Sequence, residues 1–530
     1  MTKRLLALCL VLVFTLSFAA CGKDDENNAS SGAAVTSGAA SAEAASGDNA
    51  NAQTQSKAAG SDNVNTASGN KNNSQAAGRK IATASRLTAS KAAAPVKRNK
   101  SDKTTITAAV SGLKVTSGKS VSNGINLKGK TIKMAITEEG QYNTASFKRT
   151  IAAFEKEYNC KVKLTTLKFG TYNQQVTQAL SAGSMYDICY AHGSMFPACA
   201  IDNLYENVLP TLRTDDLMDD KNPTAGGIDL AKSSYFAYKG KLYGTCNYSS
   251  VFPYVIYYNK KTLSDAGYSG AKDPRKLAEN NKWSWSIIKS MGRRLTDADS
   301  GVYFLSNSFA GRGINLAYGA PVITVSNGKY KENISSGAYV TACKDIQSWF
   351  VGNTRIAEPS DTAHPWNTYD TMLKGNSMMF LEETSKYLDM SKDVKNSPSF
   401  NRDKNNIGIV EVPLGSTNKS GKYPTGWLTA VTCGKGKDPK VAIAWDTFRS
   451  RYEDPVQDSN AMSKADKAYT DGLMLGDISC EVGQFQTSDL SALNLTSGMK
   501  GQIIKGQDIS KSITQIKDQL TACIKATVKE

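Results

Sequence analysis

The chain has 530 residues, a formal net charge of +16, 8% aromatic residues, and ten cysteines beside only two histidines. The length suffices for two or three domains, and cysteines so thinly spread, none in C-x-x-C spacing, argue against a small disulfide-stapled scaffold. Two histidines without a G-x-S-x-G elbow disfavour a Ser/His hydrolase, and no P-loop, H-E-x-x-H or EF-hand pattern occurs.

Residues 1–21 open with Lys3 and Arg4, run apolar through 5–18 and end Ala19-Ala20-Cys21. This pattern is an export signal, too short for a stable spanning helix. Its end resembles a bacterial lipobox, in which Cys21 takes a diacylglycerol thioether and becomes the mature N-terminus; Phe18 stands where the usual Leu would be, and cleavage after Ala19 is the alternative. The location implied is the extracellular face of the cell membrane, with the chain held there by its lipid. From 22 to 130 no aromatic residue occurs, and so little apolar surface cannot offset the entropy of ordering. A disordered tether is expected, spanning roughly 50–60 Å as a flexible coil. It carries fifteen basic residues against seven acids, and within 79–130 twelve against Asp102 alone. Such a segment suits anionic headgroups or wall polymers, or is a soluble spacer; no nucleic-acid partner is expected of an exported chain.

Residues 131–137, TIKMAIT, place Ile132, Met134 and Ile136 on one face of a first strand. The loop after it holds Glu139, Tyr142 and Asn143, which are pocket candidates because open α/β sheets bind ligands beyond their strands' C-terminal ends. Phe147, Ile151, Phe154 and Tyr158 keep helical spacing, and the following strand-helix-strand order predicts a parallel sheet with right-handed crossovers. Asp187 is expected to end a strand and cap the next turn, with His192 and Ser194 offering hydrogen bonds to a ligand. Phe196, Leu204, Tyr205 and Leu209 predict a packed helix face. Residues 251–258 are aromatic and β-branched and read as a buried strand, followed by a short helix over 262–266 that Gly267 stops.

Three stretches in this order carry a resemblance: 153–188, AFEKEYNCKVKLTTLKFGTYNQQVTQALSAGSMYDI; Gly240-Lys-Leu-Tyr-Gly244; and Tyr257-Tyr-Asn-Lys260 with Leu263 and Ala266-Gly267. Together they resemble the extracellular solute-binding proteins that deliver substrates, mostly sugars, to ABC importers. The resemblance implies an α/β, two-lobed periplasmic-binding-protein-like fold whose hinged lobes exchange the chain several times. The lobes expected are 131–252 with about 427–453, and 253–426 with about 454–530. Residues 453–496 take no confident element.

Within that frame, Trp283-Ser-Trp285 stands where the family has Trp-Thr-Trp-Asp, with Ser286 in place of the Asp, and packing is the expected role. His364-Pro-Trp366 precedes 372–381, which resembles the family's strand after a Gly-x-x-Ala-Met turn, and Glu382 and Glu383 follow it toward the cleft. Consecutive strand residues point to opposite faces, so binding of sugar hydroxyls is favoured over paired acid–base work. Gly426-Trp427 resembles the glycine-aromatic pair that marks the second lobe crossing. Residues 439–452 read as an amphipathic helix and 509–524 as the C-terminal helix.

The implied function is capture of a carbohydrate between the lobes, with aromatic rings of Tyr142, Tyr248, Trp366 and Trp427 covering its C–H faces, and its delivery to the permease of an ABC importer. No catalysis, cofactor or metal is expected. The alternatives are a tethered glycoside-active enzyme, a binder of another polar solute, or a wall-adhesion protein acting through its basic tether.

Overall fold

The computed structural model describes residues 113–137, 145–219, 226–310, 313–326, 329–352, 355–359, 369–452, 462–481 and 498–529. Its first elements are β1 (Thr131–Thr137), α1 (Ala145–Tyr158), β2 (Lys161–Leu167), α2 (Tyr172–Ser181) and β3 (Cys189–His192). Then come β4 (Val251–Asn259), α3 (Lys260–Asp265), α4 (Trp285–Leu295), β5 (Tyr303–Leu305), α5 (Gly337–Phe350), β6 (Ser377–Glu383), β7 (Ile407–Glu411) and β8 (Tyr423–Thr432). The chain closes with α6 (Pro439–Tyr452), α7 (Lys464–Met474), β9 (Ile478–Ser479) and α8 (Ile509–Val528).

β1 and β2 run parallel, in register from Thr131↔Lys161 to Thr137↔Leu167. Met134 bridges in parallel to Ile188, just ahead of β3, so the first group of strands has the expected parallel order. Helix α1 buries Phe147, Ile151, Phe154 and Tyr158, the four residues its spacing singles out. Asn159 then takes a left-handed φ of 51°, where a helix ends readily. Phe147 and Phe154 meet the Trp445 ring edge-on at 5.9 and 5.1 Å, and Trp445 Nε1 donates to Tyr190 Oη at 2.9 Å. Helix α6 is therefore engulfed: Val441 to Trp445 and Phe448 are all buried, as are Asp446 and Arg449, which pair at 3.1 Å. An amphipathic reading fails here because Asp446 and Arg449 pair with each other inside the core.

The second group surrounds β4, buried at every position except Phe252. β6 lies antiparallel on one edge and β7 on the other, with β5 parallel to β6. Asn259 caps α3, its Oδ1 accepting from Thr262 N, and Gly267 follows the helix at φ 83°. Trp283 and Trp285 are buried as expected, Trp285 lying 4.9 Å from the Trp349 ring and Trp283 donating to Glu411 O. Helix α7 is pinned by Arg275, which pairs with Asp466 at 2.8 Å, donates to Ile409 O at 2.6 Å and lies 3.7 Å over the Tyr469 ring.

Three expectations are corrected. Residues 113–130 are packed rather than tether: Leu113 is buried with Val208, Leu212 and Ile228, and Asp216 Oδ1 accepts from Ser120 Oγ at 2.5 Å and Val121 N at 2.9 Å. Asp187 precedes β3 rather than ending a strand; its Oδ2 accepts from Lys133 N at 2.8 Å, and it pairs with Lys437. The apolar residues between 196 and 209 ride on turns and a four-residue helix, Ala198–Ile201, because they fill the core individually. The eight cysteines of the folded region are free thiols, seven of them buried. Among the described residues no helix is long and apolar enough to cross a membrane, and no cluster of His, Cys, Asp or Glu has metal-binding form.

Candidate functional site

The two groups of strands meet where β8 leaves one and enters the other. Its N-terminal half pairs antiparallel with the start of β4, Thr425↔Pro253 and Leu428↔Val251, and parallel with β9 through Tyr423↔Ile478. Its C-terminal half pairs with β3, from Thr429↔His192 to Thr432↔Cys189. β4 and β8 thus cross side by side, and the register shifts between Thr425 and Leu428. Such an irregularity bends a strand and sharpens its twist, which is what a two-strand crossing between half-sheets requires.

Several candidate side chains converge on this crossing. Glu383 ends β6 opposite Tyr254 and is buried, its carboxylate lying against Gly426: a Cβ there would fall 1.9 Å from Glu383 Oε1. Tyr257 Oη donates to the carbonyls of Glu383 and Thr384 at 2.8 and 3.1 Å, fixing the strand end. Burial, followed by the neighbouring Glu382 carboxylate, pushes that phenol well above its ordinary pKa, so it stays a donor. Glu382 is half-buried opposite Val255, and its Oε1 accepts from Glu383 N at 3.1 Å. The two carboxylates leave the strand in alternate directions, which does not suit paired acid–base work on one bond.

On the other side, His192 Nδ1 lies 3.2 Å from Thr429 Oγ1, and its ring meets Tyr172 edge-on at 5.3 Å. Desolvation lowers its pKa to about 4, so the imidazole is neutral at ordinary pH and offers one donor and one acceptor. Tyr172 Oη is itself fixed, donating to Ala135 O and accepting from Tyr190 N. Tyr248 is buried in the turn Tyr248–Ser250 just before β4. Asn247 caps that turn, accepting from Ser249 N at 2.8 Å and donating to the buried Asp446 at 2.8 Å. The entry to the crossing is thereby tied to α6.

Glu139, Tyr142, Asn143 and Trp366 lie outside the described residues, as do Cys21 and the side chains of Ser194 and Trp427; the backbone of Trp427 lies within β8 at the register shift. The sequence reading missed Thr429, Gly426 as the seat of Glu383, and Tyr423. The Tyr423 hydroxyl accepts from Val412 N at 2.8 Å and donates to Tyr254 O at 2.6 Å, joining β4, the chain after β7 and β8. No local pattern announces a tyrosine whose partners lie 11 and 169 residues away.

A family model described as bacterial extracellular solute-binding protein matches residues 139–448. A comparison with curated protein sequences finds no match. Among solved structures, the sugar-binding protein MalE from the phytopathogen Xanthomonas citri is similar at 15% identity and a TM-score of 0.54, covering 74% of this chain and 97% of its own. An extracellular solute-binding protein from Staphylococcus aureus in complex with maltose is similar at 12% identity and TM-score 0.53, over 75% and 98% of the two chains. An ABC substrate-binding protein from Listeria monocytogenes in complex with cycloalternan is similar at 15% identity and TM-score 0.52, over 76% and 99%. At these identities the likeness shows a shared two-lobed α/β fold.

Proposed function

This chain belongs to the bacterial extracellular solute-binding proteins, and from that premise we propose that it captures a mono- or oligosaccharide between its lobes and delivers it to the permease subunits of an ABC importer. The observation that carries the reading is the paired crossing of β4 and β8, on which Glu383, His192, Tyr248 and the backbone of Trp427 converge. Two adjacent strands joining two lobes permit rotation about themselves, and a ligand touching both lobes favours the closed form. The sugars in complex with two of the similar structures, maltose and cycloalternan, support carbohydrate as the ligand class.

In the mechanism proposed, the buried Glu383 and the neutral His192 supply hydrogen bonds to hydroxyls from opposite sides of the crossing. Trp427, with Tyr142 and Trp366, supplies apolar faces, while Glu139, Asn143, Ser194 and Glu382 complete the polar contacts. No bond is made or broken, so the sugar is released unchanged. Cys21, lipid-modified, anchors the chain outside the cell; residues 22–112, the segment expected to be the tether, lie outside the described residues.

The test is a thermal-shift screen over glucose, maltose, longer maltodextrins, galactosides and sugar alcohols. A true ligand at a hundred times its Kd adds about 2.7 kcal/mol of stability, whereas other sugars leave Tm unchanged. If no carbohydrate raises Tm, the ligand class is wrong. If an oligosaccharide comes back cleaved, the binding-protein reading is wrong.

A further inference from the structure

The register of β1 and β2 gathers positive charge on one sheet face. Lys133 lies directly across from Lys163, and Lys161 stands two residues before Lys163 on the same face. Lys133, Lys161 and Lys163 are exposed, as are Lys128 and Lys130 at the entrance to β1. Among the described residues Lys161 pairs with Glu155, at 3.8 Å, and it is 77% exposed. Past β1 toward β3, Lys437 is matched by Asp187 at 3.2 Å, and Asp187 accepts from the backbone of Lys133.

Lysines on an edge strand commonly discourage pairing with other chains. That accounts for Lys161 and Lys163, but not for Lys133, which sits on the inner strand beside a like charge. Side chains on neighbouring strands about 4.8 Å apart repel when both are cationic, so the arrangement is unfavourable unless anions lie over it. The adjoining chain is of the same sign, with Lys97, Arg98, Lys100 and Lys103 in the sequence upstream.

We infer that the lysine face of β1 and β2 is a docking surface for an anionic phospholipid bilayer. Resting on it would hold the first lobe against the membrane from which the chain is tethered. A patch of this kind acts within about a Debye length, ~8 Å at physiological salt, so it operates on a body already confined near the surface. The inference takes from the proposed function only its location outside a membrane, and not the identity of the sugar.

The experiment uses the mature chain, residues 21–530 carrying Cys21→Ser, so that neither the apolar run 5–18 nor an acyl chain contributes, with vesicles of phosphatidylcholine alone or with one-third phosphatidylglycerol. The protein is expected to co-sediment with the anionic vesicles and not with the neutral ones, and to detach in high salt. Lys133→Gln, Lys161→Gln and Lys163→Gln together should weaken that partition about a hundredfold, with the sugar-induced rise in Tm unchanged. A second variant with Lys97, Arg98, Lys100 and Lys103 changed to Gln separates the upstream segment from the face. If the β1–β2 variant partitions like its parent, the inference is overturned and the upstream segment carries any binding. No partition onto either vesicle, with retention on an anionic polymer resin, would overturn it in favour of the cell wall, and equal partition onto both would overturn it because charge would then play no part. Absence of any sugar-induced shift in every variant would instead count against the carbohydrate reading alone.

Discussion

At Gly426 a single methyl group meets a buried carboxylate. The added Cβ of Gly426→Ala would fall 1.9 Å from Glu383 Oε1, within the strand crossing itself. The strand end cannot give way easily, because Tyr257 holds the carbonyls of Glu383 and Thr384. Overpacking of this kind costs about 1–3 kcal/mol, to be read as a lower midpoint in urea with an unchanged m-value. Adding Glu383→Ala to the same chain should recover part of the loss, since the two residues share one contact. A Gly426→Ala protein as stable as its parent would show that the carboxylate is free to move aside. The place of Glu383 at a strand end was legible in sequence. Its seat was not, because Gly426 lies on another strand.

At the scale of elements, the N-terminal strap tests where the folded body begins. Leu113 closes a small core with Val208, Leu212 and Ile228, and Ser120 and Val121 satisfy the buried Asp216. Removing residues 1–112 should leave Tm unchanged. Removing 1–123 strips those two donors from Asp216, at about 1–3 kcal/mol for a buried group left unsatisfied, and should lower Tm by ~1–3 °C in a folded body of this size. Equal melting of the two truncations would return the strap to the tether. The strap escaped the sequence reading because its apolar residues stand singly among Ser, Gly and Lys, without the period of a helix or a strand. Strong periods were dependable: α1, β1 and β4 follow their patterns closely. Helix α6 was located correctly, but its polar residues misled about its exposure, since the partners of Asp446 include Asn247, almost 200 residues away.

At the scale of the whole molecule, the crossing of β4 beside β8 is the hinge of the proposed closure. The sugar that raises Tm should also lower the radius of gyration measured by X-ray scattering, while sugars without effect on Tm leave it unchanged. Stabilisation without compaction would place the ligand on one lobe and remove the hinge from the mechanism.

What the sequence determined by itself is what depends on neighbours along the chain. The strand and helix periods and the order of motifs were read there, and the family model that matches residues 139–448 agrees with that order. What only the tertiary structure decided is what depends on contacts across it: the seat of Glu383 on Gly426, the pairing of His192 with Thr429, the lysine row across β1 and β2, and the packing of residues 113–130. Local patterns report backbone conformation because it is set within a few residues. The candidate site is assembled by residues from 43 apart, at Glu383 and Gly426, to 237 apart, at His192 and Thr429, and the sheet register that brings them together is fixed by the packed core rather than by any single segment.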